Sequence, residues 1–275
     1  MKEENNKISI LILDYLKSKR VTENVKLLMK QKGSKDFEIL IVDNSCNELN
    51  RKKLEELKKY ENVTLVFNEK NLGYTRAYNR IARLATGKYL FIINPDILVK
   101  DAMSIQKMVN FMEENSDVGI LGPQQINDDG SIAMTVRAFP KFYIQVARRT
   151  FLRNWPLFKK KVDYDEMKHL NWQKTQSVDW LQSSFIVIRK KFWDQVGGLD
   201  ENYFLFMSDP EICYQAWKKG EKVIYFPEVK VYADGIRCSE GGFLTFFRKW
   251  TLRQHVIDSL KYRLKHLIEK NPRKG

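Results

Sequence analysis

Apolar residues in the first hundred positions form short runs that alternate with segments of helical spacing. The runs are typical of strands covered on both faces of a sheet, and they span residues 8–13, 37–45, 63–68 and 88–94. The segments with apolar side chains three and four positions apart span residues 22–32, 51–60 and 74–85. Thr22 is the predicted N-cap of the first helix. This alternation predicts βαβ units and an α/β fold with a doubly wound, mainly parallel sheet.

Two of the predicted strands end on a carboxylate. Asp43 closes the second strand, and Asp96 follows the fourth strand after Asn94 and Pro95. Pro95 stops the strand where Asp96 emerges, and ligands of such sheets bind beyond the carboxyl ends of the strands. Asp43 and Asp96 are therefore predicted to face one crevice, where a carboxylate can hold a ribose, a base edge or a cation bound to a diphosphate. A turn or N-cap role for either residue is the alternative.

A second group of carboxylates lies at the predicted start of a helix in the other half of the chain. Asp209 and Glu211 precede or open this helix, and Gly220 is its predicted C′ residue. The partial positive charge of a helix N-terminus favours ionised carboxylates at that place. Helix capping is the alternative role for both residues.

Short motifs and composition argue against several classes of protein. No G-x-G-x-x-G follows the first strand and no G-x-x-x-x-G-K-[ST] occurs, which argues against a dinucleotide dehydrogenase and a P-loop NTPase. No apolar run approaches the roughly 20 residues of a membrane span, and the N-terminus lacks the pattern of a signal peptide. Cys46, Cys213 and Cys238 form no CxxC motif and predict structural thiols in a reducing compartment. We therefore expect a cytoplasmic protein.

The chain carries a large excess of positive charge, with 48 Lys and Arg against 34 Asp and Glu and a net charge of +14. This charge favours an anionic partner, for which nucleic acid, an acidic membrane surface and a phosphorylated small molecule are the candidates. A solvated basic surface without a specific partner is the alternative. No nucleic-acid-binding module accompanies the charge, so we expect no nucleic acid partner.

Four segments together resemble a known family. They are "ILIVDNSC", "NEKNLGYTRAYNRI", "GKYLFIINPD" and the block from "VDWLQSSFIVIRKKF" through "VGGLDENYFLFMSDPEIC" to "YFPE". In this order and spacing they resemble family 2 inverting nucleotide-sugar glycosyltransferases with the GT-A fold, within the rhamnosyltransferase-like group of bacterial surface polysaccharide synthesis. The resemblance covers residues 8–240. It implies a nucleotide-sugar-binding half at residues 1–125 and an acceptor and catalytic half at 126–240.

The resemblance also implies roles for individual residues. Asp43 would contact the base or ribose of the donor, and Asp96 would be the last position of a D-x-D type motif that binds Mg²⁺ or Mn²⁺ and, through it, the diphosphate. Asp209 would be the catalytic base. The other donor-side residues would be Tyr15, Asn71, Gly73, Arg76 and Asn79. The acceptor-side residues would be Trp180, Asp200 and Glu201.

Two departures from the family pattern concern the cation. Ser208 stands where the family has the first acidic residue of its Glu-Asp-x-Asp motif. Ala233 or Asp234 stands where the family has a His that would ligate the metal, so Asp234 is a substitute candidate. A weakly held cation, Asp234 as a ligand and cation-independent catalysis, with Arg76 and Arg237 stabilising the leaving group, are the alternatives. None of the three His residues lies in a motif, and we expect core or surface positions for them.

Two segments interleave aromatic and basic residues, residues 140–161 and the C-terminal tail at 241–275. Apolar positions of the tail follow helical spacing and predict a basic amphipathic helix, which suits a membrane interface. They are Phe243, Phe247, Trp250, Val256, Ile257, Leu260, Leu264 and Leu267. The alternatives are a terminal helix packed on the domain and a tail that forms a homodimer.

Three hypotheses for the function follow. The first is an inverting glycosyltransferase that moves a sugar from a dTDP- or UDP-sugar, with rhamnose from dTDP-rhamnose as one candidate, to a lipid-linked or growing polysaccharide acceptor. Such an enzyme would lie on the inner face of the cell membrane as a peripheral protein. The second is an inactive homologue that binds nucleotide or glycan in an assembly. The third is a nucleic-acid-binding protein.

Overall fold

The first half of the chain alternates strands and helices, as the apolar pattern predicts. The computed structural model describes residues 8–33, 36–148, 150–234 and 250–274. The elements of the first half are β1 (Ile8–Asp14), α1 (Ser18–Leu28), β2 (Phe37–Asp43), α2 (Glu48–Glu55), β3 (Val63–Phe67), α3 (Gly73–Ala82), β4 (Tyr89–Ile93), β5 (Ile97–Leu98) and α4 (Ser104–Glu114).

The second half has longer strands and a final helix. Its elements are β6 (Val118–Asn127), β7 (Val136–Arg137), α5 (Phe142–Arg148), α6 (Pro156–Asp165), β8 (Gln176–Ser177), β9 (Trp180–Leu181), β10 (Phe185–Arg189), α7 (Lys190–Val196), α8 (Ser208–Lys218), β11 (Lys222–Ala233) and α9 (Trp250–Lys265). The predicted C′ residue of α8 is confirmed, because Gly220 has a φ of +79° and follows the C-cap residue Lys219.

One large sheet connects the two halves. Its strand order is β3-β2-β1-β4-β10-β6-β11-β5, with β8 also paired to β11. The pairs β1–β2, β1–β4, β2–β3 and β6–β11 are parallel, whereas β10 is antiparallel to both of its neighbours. The short strands β7 and β9 form a separate antiparallel pair. The predicted mainly parallel sheet is confirmed, with β10 as an antiparallel strand inside it.

Helices cover both faces of this sheet, as expected for a doubly wound fold. On one face, α1, α2 and α4 bury apolar side chains such as Val25, Leu54 and Met108. On the other face, α3, α7 and α8 do the same with side chains that include Ile81 and Phe192. Because successive strand residues point to opposite faces, the continuous apolar runs of the sequence supply both cores.

The first helix begins earlier than its predicted N-cap. It starts at Ser18, and the Thr22 hydroxyl lies inside the helix and donates to the Ser18 carbonyl at 2.9 Å. The Ser18 amide donates to Asn50 Oδ1 at 3.2 Å. A side chain from α2 therefore satisfies the helix start, and such a contact between distant segments leaves no local signal in the sequence.

The C-terminal helix α9 packs against the loop that precedes α8. Asp258 of α9 has no exposed surface, and its carboxylate accepts hydrogen bonds from the amides of Phe204, Leu205 and Phe206. Trp250 stacks edge-on against Phe204 with ring centroids 5.4 Å apart. Of the helices in the described ranges, none has the length and apolar content needed to cross a bilayer.

Candidate active site

Two carboxylates lie side by side at the ends of β1 and β2. The parallel register pairs Asp14 with Asp43, and the amide nitrogen of Asn50 donates to both, as well as to Ser45 Oγ. Burial raises the pKa of Asp14 to about 6, and the Asp43 charge adds to this effect, against the hydrogen bonds from Asn50 and the Lys17 amide. Two acidic groups are thus concentrated where a nucleotide would meet the sheet edge.

Sequence reasoning identified Asp43 and missed Asp14. The predicted first strand ended one residue too early, and the adjacent Tyr15 was chosen instead. Tyr15 is half exposed at the strand end, where a planar ring is available to a base. The signal that would have found Asp14 is the shared pattern of two neighbouring strands, each of which ends its apolar run on Asp.

The predicted donor segment is tied to the end of β2. Asn44 donates to Asn71 Oδ1 at 2.7 Å and accepts from the Leu72 amide at 2.8 Å. Gly73 has a φ of +77°, and a Cβ at this position would lie 2.5 Å from the carbonyl oxygen of Phe204. Only glycine allows this close approach, which brings the start of α3 against the loop before α8.

The Asn94-Pro95-Asp96 turn brings a second carboxylate pair together. After the turn, β5 pairs with β11, and the Ile97–Ala233 register places Asp234 beside Asp96. Burial raises the pKa of Asp96; the Lys17 ammonium opposes this effect, and the Asp234 charge reinforces it. The Lys17 Nζ atom lies 3.9 Å from Asp234 Oδ2.

This carboxylate pair fits a divalent cation that also binds a diphosphate. Mg²⁺ and Mn²⁺ sites often use one or two carboxylates and complete their coordination with substrate phosphates and water. The described residues contain no cluster of three or more His, Cys, Asp or Glu that would hold a metal by themselves. Asp96 and Asp234 are therefore the residues that would hold the cation. Burial is the main cause of the raised Asp96 pKa, and a cation would relieve the repulsion from Asp234 that adds to it.

Asp209 is the third acidic group, and it lies at the N-terminal end of α8. The Ser183 hydroxyl donates to Asp209 Oδ1, and the Ser208 hydroxyl does so at 3.3 Å. The Tyr74 hydroxyl lies 2.6 Å from Ser183 Oγ, which extends the network to α3. Burial raises the pKa of Asp209, although the hydrogen bonds from Ser183 oppose this. Burial therefore gives this carboxylate a higher proton affinity than an exposed aspartate has.

Tyr78 connects the groups around Asp96 and Asp209. Its hydroxyl lies 3.5 Å from Asn94 Oδ1 in the turn. Its pKa is raised, first by burial and further by the charges of both Asp96 and Asp209. The Asn94 amide also donates to the Ser184 carbonyl at 2.8 Å. The turn that carries Asp96 is thus bonded to the segment that holds Asp209.

The predicted acceptor-side residues are held by separate contacts. Trp180 donates through Nε1 to the Ala138 carbonyl at 2.8 Å. Glu201 lies 3.6 Å from the exposed Arg76 side chain. Asn79 binds the backbone of Leu199 through both ends of its amide group. Arg76 and Asn79, predicted on the donor side, thus contact the 197–201 segment.

Glu211 anchors α9 to α8. It is almost fully buried, and it pairs with Lys265 Nζ at 2.7 Å and with His266 Nε2 at 2.6 Å. Burial disfavours its charge, but these two partners hold the pKa of Glu211 down at about 2. Asp200 binds the same lysine at 2.7 Å. The last carboxylate of the acidic motif is thus occupied by the C-terminal helix.

The His266 contact predicts a pH-dependent stability. Burial disfavours the imidazolium, but hydrogen bonds to Glu211 and Glu269 raise the pKa of His266 above 6.5. This stabilisation is complete below the unfolded pKa of about 6.5 and is lost as the pH rises through the raised folded value, while Glu211 stays ionised down to about pH 2. We expect the Tm difference between the wild type and His266→Gln to be largest near pH 6 and to shrink toward pH 9, as measured by thermal unfolding. A constant difference would contradict it.

The remaining sequence predictions have plain structural outcomes. Cys213 is buried and Cys46 is exposed. His169 stacks on Tyr164, and His255 packs edge-on against Phe206. Arg237 and Cys238, together with the tail positions Phe243 and Phe247, lie outside the described residues.

Known structures share this architecture. A mannosyltransferase from Pyrobaculum calidifontis, solved with GDP-Man and Mn²⁺, superposes with a TM-score of 0.61 at 15% identity over 94% of this chain and 64% of its own. The structure of GalNAc-T7 with UDP, GalNAc and Mn²⁺ gives a TM-score of 0.62 at 17% identity over 84% of this chain and 44% of its own. The chain therefore has the same fold as these two structures.

The sequence identifies the family to which the chain belongs. It belongs to glycosyl transferase family 2, whose model matches residues 9–171. An N-acetylglucosaminyl-diphospho-decaprenol L-rhamnosyltransferase of Mycobacterium tuberculosis is 27% identical over 186 residues, 64% of this chain and 60% of its own length. An uncharacterized glycosyltransferase of Methanocaldococcus jannaschii is 29% identical over 119 residues, 42% of this chain and 40% of its own. The chain thus spans about three fifths of the length of the first relative.

Proposed function

We propose that this protein transfers a sugar from a nucleotide donor to an acceptor hydroxyl with inversion at the anomeric carbon, and that Asp209 is the general base. The observation that supports this proposal is that Ser183 holds Asp209 at the start of α8, while the next residue, Ser184, binds the turn that carries Asp96. The donor half would comprise residues 1–125 and the acceptor and catalytic half residues 126–240.

The donor nucleotide binds at the ends of β1 and β2 in this proposal. Asp43 accepts hydrogen bonds from the base or ribose, and Asp14 extends the acidic edge beside it. Tyr15 offers an exposed ring to the base. Asn71 and Gly73 shape the segment that closes this end of the crevice, since both are held in place by the end of β2 and the loop before α8.

The diphosphate lies toward Asp96 and Asp234. A divalent cation held by these two carboxylates supplies positive charge to the diphosphate when it is bound. Lys17 is the nearby ammonium group, and it lies within ion-pairing distance of Asp234. Together these groups stabilise the negative charge that develops on the leaving nucleotide.

The acceptor hydroxyl approaches Asp209 from the side of Trp180 and the 197–201 segment. Asp209 takes the proton of this hydroxyl as the oxygen attacks the anomeric carbon, while the bond to the diphosphate breaks on the opposite face. The Ser183 hydroxyl keeps the carboxylate oriented, and burial raises its proton affinity. One carboxylate is sufficient, because an inverting transfer needs only one base and no covalent intermediate.

Similarity supports a specific donor and acceptor. The Mycobacterium relative is named as an L-rhamnosyltransferase that acts on an N-acetylglucosaminyl-diphospho-decaprenol. We propose a deoxysugar nucleotide such as dTDP-rhamnose as the donor and a lipid-linked saccharide as the acceptor. An enzyme with such an acceptor works at the inner face of the cell membrane.

Donor titration tests this function. A panel of dTDP-rhamnose and several UDP-sugars is titrated by calorimetry with Mn²⁺ and again with EDTA, and sugar transfer to a polyprenyl-diphosphate saccharide is followed by mass spectrometry. We expect one donor to bind, to bind more weakly in EDTA and to be consumed. Donor binding without turnover would favour the inactive homologue, for which Ser208 in place of the acidic residue is the supporting observation.

Asp96→Ala tests the cation site. With Mn²⁺ present, we expect donor affinity to fall about tenfold, because the diphosphate loses the charge held by this carboxylate. In EDTA the variant and the wild type should bind the donor equally. Asp101→Ala removes an exposed carboxylate of the same stretch and serves as the matched control. If Asp96→Ala and the wild type bound the donor with equal affinity in Mn²⁺, Asp96 would be a turn residue and not a cation ligand.

A further inference from the structure

The helix α9 contacts the domain through polar and aromatic side chains. The residues of α9 that are buried are Asp258, Ser259 and Tyr262. Asp258 accepts hydrogen bonds from the loop before α8, and Tyr262 packs against Tyr203 with ring centroids 6.4 Å apart. A terminal helix on a soluble domain usually buries its apolar stripe instead. The docked face of α9 is therefore the reverse of the expected arrangement.

Five large aliphatic side chains of this segment face away from the domain. At 100° per residue, Leu264 lies about 160° around the helix from the buried Tyr262. The exposed fractions rise along the segment, from 46% at Ile257 and 50% at Leu260 to 73% at Leu264. The stripe continues past the helix end, where Leu267 is 75% and Ile268 is 93% exposed. Five large aliphatic side chains in one stripe form an exposed patch rather than scattered surface residues.

The segment that carries this stripe is strongly basic. Residues 250–274 contain seven Lys and Arg but only two Asp and Glu. Both acidic residues are engaged on the domain side, Asp258 by backbone amides and Glu269 by His266 and Lys218. Lys261, Lys265 and Arg273 also bind the domain. The segment as a whole nevertheless carries a net positive charge beside the stripe.

We propose that the outer face of α9 docks on the surface of an anionic lipid bilayer. The stripe defined by Ile257, Leu260, Leu264, Leu267 and Ile268 inserts among the headgroups and upper acyl chains, and the net positive charge of the segment attracts the anionic headgroups. Helices with an apolar face and a basic polar face bind membranes in this way. This proposal goes beyond the proposed glycosyl transfer and does not require it.

The same stripe does not suit a second copy of this chain. Its heptad spacing extends only over the 16 residues of α9, and a coiled coil needs three to four heptads. Arg253 occupies the heptad position that Leu260 and Leu267 take later, so two copies would bring arginines together in the seam. At a headgroup layer the same arginine extends to the phosphates. Charge complementarity therefore favours lipid over a homodimer.

Docking of α9 on a bilayer would bring the candidate active site close to the membrane. Its inner face holds the loop at residues 204–206, which leads directly into Asp209. A bilayer on the outer face would lie about 10 Å, one helix diameter, from that loop. A lipid-linked acceptor in the bilayer would thus meet the catalytic side of the protein.

Vesicle co-sedimentation with the full chain tests the proposal. The probe is a vesicle of equal parts phosphatidylglycerol and phosphatidylcholine, compared with pure phosphatidylcholine. We expect wild-type protein to bind the anionic vesicle, and Leu264→Glu to bind about tenfold more weakly, because it loses an inserted side chain and adds a repelling charge. Leu84→Glu changes a 50% exposed leucine elsewhere and should bind like the wild type.

Each other outcome overturns the proposal. No binding of the wild type to the anionic vesicle removes the lipid partner. Equal binding of Leu264→Glu and the wild type assigns vesicle binding to another surface, for which the exposed Phe151 and Trp155 are the next candidates. A wild-type dimer in analytical ultracentrifugation that Leu264→Glu dissociates makes a second copy the occupant. Donor binding by calorimetry in all variants reports separately on the proposed transferase.

Discussion

Replacing Asp209 by Asn is expected to lower kcat about a thousandfold, the range of a lost general base. An amide cannot accept the proton of the acceptor hydroxyl, yet it keeps the shape of the carboxylate and can still accept the hydrogen bond from Ser183. The donor dissociation constant should stay unchanged, because the proposed nucleotide-binding residues Asp43 and Asp96 are not altered. Initial rates with saturating donor, together with calorimetry, measure the two quantities.

Ser183→Ala separates orientation from proton transfer. The hydrogen bonds from Ser183 lower the pKa of Asp209 against the effect of burial, so their loss should raise it further. We expect a moderate loss of kcat and a shift of the acidic limb of the pH–rate profile to higher pH. Ser208→Ala, which removes the longer bond at 3.3 Å, should shift this limb less.

If Asp209→Asn retained its turnover, the base of the reaction would have to be a residue other than Asp209.

Asp258→Ala is the second change with a large expected effect, although Asp258 lies in α9 and outside the proposed nucleotide site. It deprives three consecutive amides, those of Phe204, Leu205 and Phe206, of their acceptor. The next residue, Met207, has a φ of +67° directly before α8, and such left-handed residues persist only where their surroundings hold them. We expect kcat to fall about tenfold to a hundredfold, because a displaced base loses its reach.

The readout must distinguish positioning from general instability. Asp179→Ala is the matched control, because Asp179 is equally buried and anchors the C-terminal segment through Arg273, away from the 204–206 loop. Both alanine variants should lower Tm, but only Asp258→Ala should lower kcat at temperatures where it remains folded. Asp258→Asn, which keeps one acceptor oxygen, should recover part of the rate. Equal kcat losses in the two alanine variants would refute the positioning role.

The sequence identified the ends of the strands as the candidate site, but it did not identify all of the side chains that meet there. Asp43, Asp96 and Asp209 follow recognisable local signals, namely the end of an apolar run, a proline turn and a helix start. Asp14 was missed because the predicted strand stopped one residue short. Asn50 and Ser183 were missed because their importance lies in contacts over 36 and 26 residues of sequence separation, respectively.

The C-terminal tail also shows what the sequence pattern could and could not predict. Its helical spacing correctly predicted a helix, and α9 runs from Trp250 to Lys265. The pattern could not indicate which face meets the domain, because an apolar stripe suits a domain core, a partner and a lipid surface equally. The buried acceptor Asp258 would have been assigned to the solvent side of such a helix.

The sequence by itself determined the order of elements, the two-sided core of the sheet and the family, because these depend on periodicity and on motifs within short segments. Only the tertiary structure decided which side chains share the crevice and which face of α9 is buried. The pairing of Asp14 with Asp43 requires the register of β1 and β2, and that of Asp96 with Asp234 requires β5 and β11 to meet across more than a hundred residues. Such contacts are set by the packing of whole elements, for which a local pattern carries no information.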